Sequence, residues 1–266
     1  MTSSPILPRR PGKNSLVACY ARYESETAEA QYCDSHYGPD KFGVANFSVR
    51  LVQFCLAALA GHPLRRALDL GCAVGRASFE LATRFDHVTG IDLSSRFISL
   101  ARRLQERGRI SYRLRVEGEL ISDHQVSLAE LGLAATASRV SFYQGDAQRL
   151  EAPLCDFDLI LAANLIDRLP EPGAFLAGIH RRLVPGGLLA VASPYTWLET
   201  FTPRHQWLGG RFRSGCPLTS LEGLTRKLAG RFSAVDAPQD VEFVIRETAR
   251  TFQHGVSQLT LWRRIR

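Results

Sequence analysis

The chain has 266 residues, 45% hydrophobic and 22% charged, and its 33 Lys and Arg exceed 26 Asp and Glu to leave a formal charge of +7. That balance marks a globular chain with ample core, in one large α/β domain or two small ones, and excludes the disordered and fibrous classes. No apolar run approaches the ~20 residues of a membrane helix. The arginines are scattered rather than gathered into a basic arm, so neither a membrane nor a nucleic acid is the expected partner.

In chain order, residues 1–15, "MTSSPILPRRPGKNS", lack the apolar segment of a signal peptide and read as a disordered lead-in. Six cysteines, at 19, 33, 55, 72, 155 and 216, form no C-x-x-C pair, which argues against zinc and for reduced thiols in a cytoplasmic protein. A helical cap is expected over residues 16–63. Then strand-like and helical runs alternate. "RRALDL" is a strand and "GRASFELATRF" a helix; "HVTGIDL" is a strand and "SSRFISLARRLQER" an amphipathic helix. "RVSFYQGD" is a strand. "FDLILAANLI" is almost continuously apolar, as the middle of a parallel sheet requires. The helix "GAFLAGIHRRL" closes on "VPGG" and feeds the strand "LLAVAS". This alternation predicts an α/β, doubly wound, mostly parallel sheet in a single domain over 16–266, with its core at 64–266. Two insertions interrupt it, near 109–138, where "RISYRLRV" alternates like a strand, and near 194–216.

Ligands of open α/β sheets sit beyond the carboxyl ends of the strands, and that is where the motifs fall. In "ALDLGCAVGRASFELA" a strand ends at Asp69 and small residues follow at Gly71, Ala73 and Gly75. They let backbone turn tightly and approach a ligand. The spacing departs from the dinucleotide fingerprint G-x-G-x-x-G, whose third glycine is here Arg76. Asp92, followed by Leu93, ends the second strand, where a carboxylate accepts both hydroxyls of an adenosine ribose or else caps the next helix. Asp146 and Ala147 follow the third strand, and Asn164 ends the fourth. Cys72 lies inside the glycine loop, where backbone binds and the side chain packs.

D-x-G-x-[G/A]-x-G, two further acids and a Pro-Gly-Gly turn resemble, in that order, the motifs of class I S-adenosylmethionine-dependent methyltransferases. From Tyr20 to Arg264 the chain resembles one family more closely: the methyltransferase domain of ovothiol biosynthesis, a 4-mercaptohistidine (5-thiohistidine) N-methyltransferase. The residues that carry this are "HYG" (36–38), "NFSVR" (46–50), "QGDA", "AANLIDRLP", "SPYTWLETFTPRHQWLGG" (193–210) and "IRETARTFQHGVSQLTLWRR" (245–264). Ser48 stands where the family has proline, and the sulfoxide synthase often fused to such domains is not in this chain, so a separate synthase and lyase pathway would supply the substrate.

The resemblance implies a Rossmann-like, seven-stranded fold and transfer of a methyl group from S-adenosyl-L-methionine, leaving S-adenosyl-L-homocysteine. The acceptor it implies is an imidazole nitrogen of a thiolated histidine or its selenium analogue. Asp69, Gly71, Cys72, Ala73, Gly75, Asp92, Leu93, Asp146, Ala147 and Asn164 are then the cofactor-binding set, with Arg50 for the methionyl carboxylate. By chemistry alone His205, Glu247 and His254 are candidate bases. Asn46, Tyr195, Trp197, Arg204, Trp207 and Arg246 are candidate substrate contacts: an arginine fork suits a carboxylate, and an acid or aromatic face suits an ammonium. The alternatives are a class I methyltransferase for another small molecule or RNA, and a non-catalytic cofactor-binding partner protein.

Overall fold

A computed structural model describes residues 22–265; the lead-in expected over 1–15 lies outside them. Five parallel strands form the centre: β1 (Arg66–Leu70), β2 (His87–Asp92), β5 (Val140–Gln144), β6 (Phe157–Ala163) and β7 (Leu183–Ser193). β12 (Phe252–Arg264) runs antiparallel beside β7. Two strands share the outer position. β10 (Phe232–Ala234) pairs with the carboxyl end of β12, and β11 (Gln239–Arg246) with its first half. The order is β10-β12-β7-β6-β1-β2-β5 with β11 also on β12. The sheet thus has eight strands instead of the expected seven, because one long strand carries two short partners end to end.

Side chains alternate across the sheet and build two cores. Ala67, Leu159, Leu161 and Leu188 face one, and Leu68, Ile160 and Leu189 the other. The first core is closed by α1 (Glu26–Tyr37), α2 (Phe47–Ala58), α3 (Arg76–Leu81) and α4 (Ser95–Arg107); the second by α5 (Pro172–Ile179) and α6 (Ser220–Leu228). "RISYRLRV" is a strand, β3 (Arg109–Glu117), paired antiparallel with β4 (Leu120–Ser127) in a separate hairpin that buries Ile110, Tyr112 and Leu114. A last hairpin, β8 (Arg211–Arg213) and β9 (Cys216–Leu218), precedes α6.

α1 and α2 are held over the strand ends by polar contacts. The Glu24 carboxylate accepts from the Ser95 N–H at 2.8 Å, the Ser95 hydroxyl at 3.1 Å and the Arg96 N–H at 3.3 Å. These donors lie in the first turn of α4, where N–H groups lack helical partners and the dipole favours an anion. Tyr37 donates its hydroxyl to the Val74 carbonyl at 2.6 Å, inside the glycine loop. Among the described residues, no helix is long and apolar enough to cross a membrane.

Gly75 opens α3 at φ 89°, and a Cβ there would meet the Phe142 ring at 2.6 Å. Both the left-handed backbone and the ring demand glycine. Gly75→Ala is expected to lower unfolding free energy by about 2–4 kcal/mol, read by urea unfolding, from backbone strain plus overpacking.

Candidate active site

The glycine loop curls because its donors turn inward. The N–H groups of Gly71 and Cys72 both donate to the Ile91 carbonyl, at 2.8 and 3.1 Å, and Ala73 donates to Asp92 Oδ2 at 2.9 Å. Ala73 is held at φ 48° and Asn164 at φ 51°, so two non-glycine residues with left-handed backbone flank the same opening. Such conformations persist where surrounding structure enforces them. Asp92 Oδ1 accepts from the Ser94 N–H at 2.8 Å, while Ser94 itself caps α4 by accepting from Phe97. Asp92 therefore does not cap the helix. It ties the loop to the helix start, and each of its carboxylate oxygens has a second lone pair for a ligand.

Beyond these strand ends lies a cavity enclosing about 1310 Å³, open solvent at its mouth included. One wall is Asp69, Gly71, Cys72, Ala73, Asp92, Leu93, Asp146, Ala147 and Asn164. Asn164 is oriented by the Ser257 hydroxyl, which donates to its Oδ1 at 2.7 Å. Asp146 accepts from the Gln148 N–H at 2.9 Å. The opposite wall comes from α1, α2 and β11 and includes Tyr32, His36, Phe47, Ser48, Phe243 and Ile245. Burial pushes the Asp69 carboxyl up to about 7, against the lowering effect of the Ser78 hydroxyl that donates to it at 2.6 Å. Burial also raises Asp92, to about 6. The Cys72 thiol is pushed well above its ordinary range by burial and by Asp69, so it stays protonated.

Several expected residues lie elsewhere. Gly75 shapes the loop but faces Phe142. On α2, Phe47, Ser48 and Leu51 face the cavity, while helical periodicity turns Arg50 to solvent, where it bonds Gln53 and covers the Phe54 ring at 5.1 Å. Asn46 caps α2 by accepting from the Val49 N–H, and its amide donates to the His36 carbonyl at 2.8 Å. The aromatic ribbon after β7 is packing. Trp197 donates to the Ser220 hydroxyl at 2.8 Å, Trp207 donates to the Thr202 carbonyl at 2.7 Å, and the two rings stack 6.4 Å apart. "WLGG" brings Gly209 against the Thr219 backbone, with no room for a Cβ. Tyr195 donates to Gln258 at 3.2 Å. Arg204 and His205 are exposed on a short 3-10 turn.

Glu247 accepts from the Gln253 amide, Arg246 donates to the Thr248 carbonyl, and exposed His254 pairs with Glu242 at 3.3 Å. All three lie where β11 and β12 run past the sheet, away from the cavity lining. Many cavity residues escaped the sequence reading, among them His36 and Arg168, although both lie inside quoted motifs. His36 is the first residue of "HYG". Arg168 belongs to "LIDRLP"; its guanidinium donates to buried Asp167 at 2.7 Å and to the Thr196 carbonyl at 2.9 Å. Nothing in their spacing said which way they point.

Comparison with known proteins agrees with this geometry. Residues 68–191, from β1 into β7, match the family described as "Methyltransferase domain". A ubiquinone biosynthesis O-methyltransferase of Aromatoleum aromaticum is 26% identical over 132 residues, 49% of this chain and 43% of that protein. The matches thus span less than half of such relatives. Among solved structures, an N-methyltransferase of Bradyrhizobium japonicum with S-adenosyl-L-homocysteine superposes with TM-score 0.52 at 17% identity, covering 91% of this chain and 100% of that one. Magnesium protoporphyrin IX methyltransferase of Synechocystis with bound S-adenosylmethionine gives 0.56 at 14% identity, covering 96% and 100%. The fold is that of class I methyltransferases, Rossmann-like and mostly parallel. The matched segment, residues 68–191, is similar to methyltransferase domains.

Two measurements test this description. The Asp69 pKa is raised on folding, so the contribution of Asp69 to stability is present at low pH and is lost as pH rises through about 7. Asp69→Asn is therefore expected to flatten the fall in unfolding free energy of the cofactor-free protein between about pH 4 and 7, at about 1.4 kcal/mol per pH unit where the folded state alone holds the proton. Trp207→Phe, which deletes one partly buried hydrogen bond, is expected to cost about 1–2 kcal/mol in urea unfolding.

Proposed function

We propose that the protein methylates an imidazole nitrogen of a thiolated histidine, 5-thiohistidine or its selenium analogue, with S-adenosyl-L-methionine as donor. One observation carries this reading. Blocks of sequence that resemble those of thiohistidine N-methyltransferases, far apart in the chain, contribute residues to one cavity. "HYG" contributes His36, "NFSVR" Phe47 and Ser48, "LIDRLP" Arg168, and "IRE" Ile245. In "FQHGVS", Gly255 lies under Phe243, where a Cβ would meet the ring at 2.4 Å.

The loop wall fits the cofactor. In this reading Asp92 and Leu93, which line the cavity, take the ribose, Asp146 and Ala147 the adenine, and the backbone of Gly71 to Ala73 with Asn164 the methionyl end. Glu24, Asp69, Asp92 and Asp146 put carboxylates around the cavity, which favours a sulfonium cation. Bound there, the cofactor supplies an electrophilic methyl group. The protein's part is to hold nitrogen, methyl carbon and sulfur in line at roughly 3–3.5 Å and to keep water out. The walls from α1, α2 and β11 cover the side from which an acceptor would attack.

The test is methyl transfer from labelled cofactor to histidine, 5-thiohistidine, 5-selenohistidine, a phenol and tRNA, read by mass spectrometry. A single added methyl on the thio- or selenohistidine, and none on histidine, is expected; labelling of the phenol or tRNA alone would sink the reading. Asp92→Ala should weaken cofactor binding by about 10- to 100-fold in calorimetry, the worth of a hydrogen bond to a charged group.

A further inference from the structure

His36 is the imidazole of the cavity wall, and no described residue hydrogen-bonds its ring. Its Nδ1 is buried and lacks a partner, an expensive condition for a polar atom. The backbone around it is nonetheless fixed. Its carbonyl accepts from Asn46 at 2.8 Å and from the Arg76 guanidinium at 3.2 Å. Tyr32 lies 5.9 Å from the ring. So the backbone is held by its neighbours, while a ring nitrogen is left without a hydrogen-bond partner among the described residues.

The surroundings define what would complete it. Tyr32, Phe47 and Phe243 line the same wall, with Phe47 and Phe243 at 5.5 Å and 60° to each other. Aromatic faces accept a flat ring. Burial, and after it the Arg76 guanidinium, push the His36 imidazole down to about 3, so near neutral pH it is uncharged and keeps a lone pair. The loop wall opposite accounts for the donor, and this wall is left for the acceptor.

We propose that His36, with Tyr32, Phe47 and Phe243, forms the acceptor sub-site, and that this takes a planar azole whose ring N–H donates to His36. The inference rests on the methyl-transfer reading above and adds the position and orientation of the acceptor. The azole loses one ring proton to solvent before binding. Its remaining ring proton sits on the nitrogen facing His36, and the other nitrogen keeps an in-plane lone pair. That pair forms the new bond to the methyl carbon, whose bond to the cofactor sulfur breaks with the electrons left on sulfur. A thiolate azole of charge −1 leaves as the neutral methylimidazolium thiolate, and the sulfonium as a neutral sulfide. His36 stays uncharged throughout, and it selects which nitrogen is methylated.

The test uses the full chain. Imidazole-4-thiol is titrated into protein loaded with S-adenosyl-L-homocysteine, and 5-thiohistidine methylation is followed with the product isomers resolved by proton NMR. Wild type is expected to bind the thiol and make one N-methyl isomer. His36→Leu should lose at least about tenfold in thiol affinity and in kcat/KM and release both isomers, the loss expected for one buried hydrogen bond to a charged ligand. His36→Gln should restore part of the rate, and cofactor affinity should stay within about threefold in both, since His36 is assigned to the other wall. If the leucine variant does not fold, His36→Phe carries the same expectation. Failure of wild type to bind the thiol, or equal binding and a single isomer without His36, overturns the proposal. Binding that needs His36 without methylation of 5-thiohistidine keeps the sub-site and removes the substrate named above.

Discussion

The cavity depends first on one carboxylate. Asp92 accepts from Ala73 in the glycine loop with one oxygen and from Ser94 at the head of α4 with the other. Those two bonds fix the distance between the loop and the helix, and so the width of the slot between them. They also keep Ala73 at φ 48°, a conformation a non-glycine residue does not choose unaided. The carboxylate sits where burial opposes its charge. A cation in the slot would relieve that opposition, so stability and ligand binding are linked through the same group.

The second constraint is the attachment of α1 and α2. Glu24 closes on the free N–H groups of α4, Tyr37 on the loop carbonyl of Val74, and Arg76 on the last turn of α1. Each contact joins these helices to an element that also frames the cofactor wall. The two walls of the cavity are thus built on shared supports, and a shift in one is felt in the other. The ribbon after β7 contributes less directly. It holds Arg168 through Thr196, and buried Asp167 gathers Arg168, Ser193 and Thr196 around one carboxylate.

The sheet and the cofactor wall were legible because they rest on local rules. Alternation along "RRALDL" and the unbroken apolar run of "FDLILAA" reflect burial of one or both faces. Small residues after β1 and acids after β2 and β5 occur where strand ends must be. The opposite wall of the cavity was not legible, for three physical reasons. Trp197 and Trp207 look like pocket aromatics, but the glycines of "WLGG" let the ribbon lie flat on α6 and turn both rings inward. Arg50 is two residues from Ser48, and that spacing on a helix separates solvent from cavity. His36 acts in a cavity whose other residues lie dozens of positions away, and only tertiary packing brings them together.

The doubled outer edge of the sheet has a consequence for how such a site can change. The loop wall of the cavity is spread over the ends of β1, β2, β5 and β6. Phe243 and Ile245 instead hang from β11, the outermost strand, fastened only to β12. A substitution at that margin therefore reshapes one wall of the cavity and leaves the strand-end wall in place.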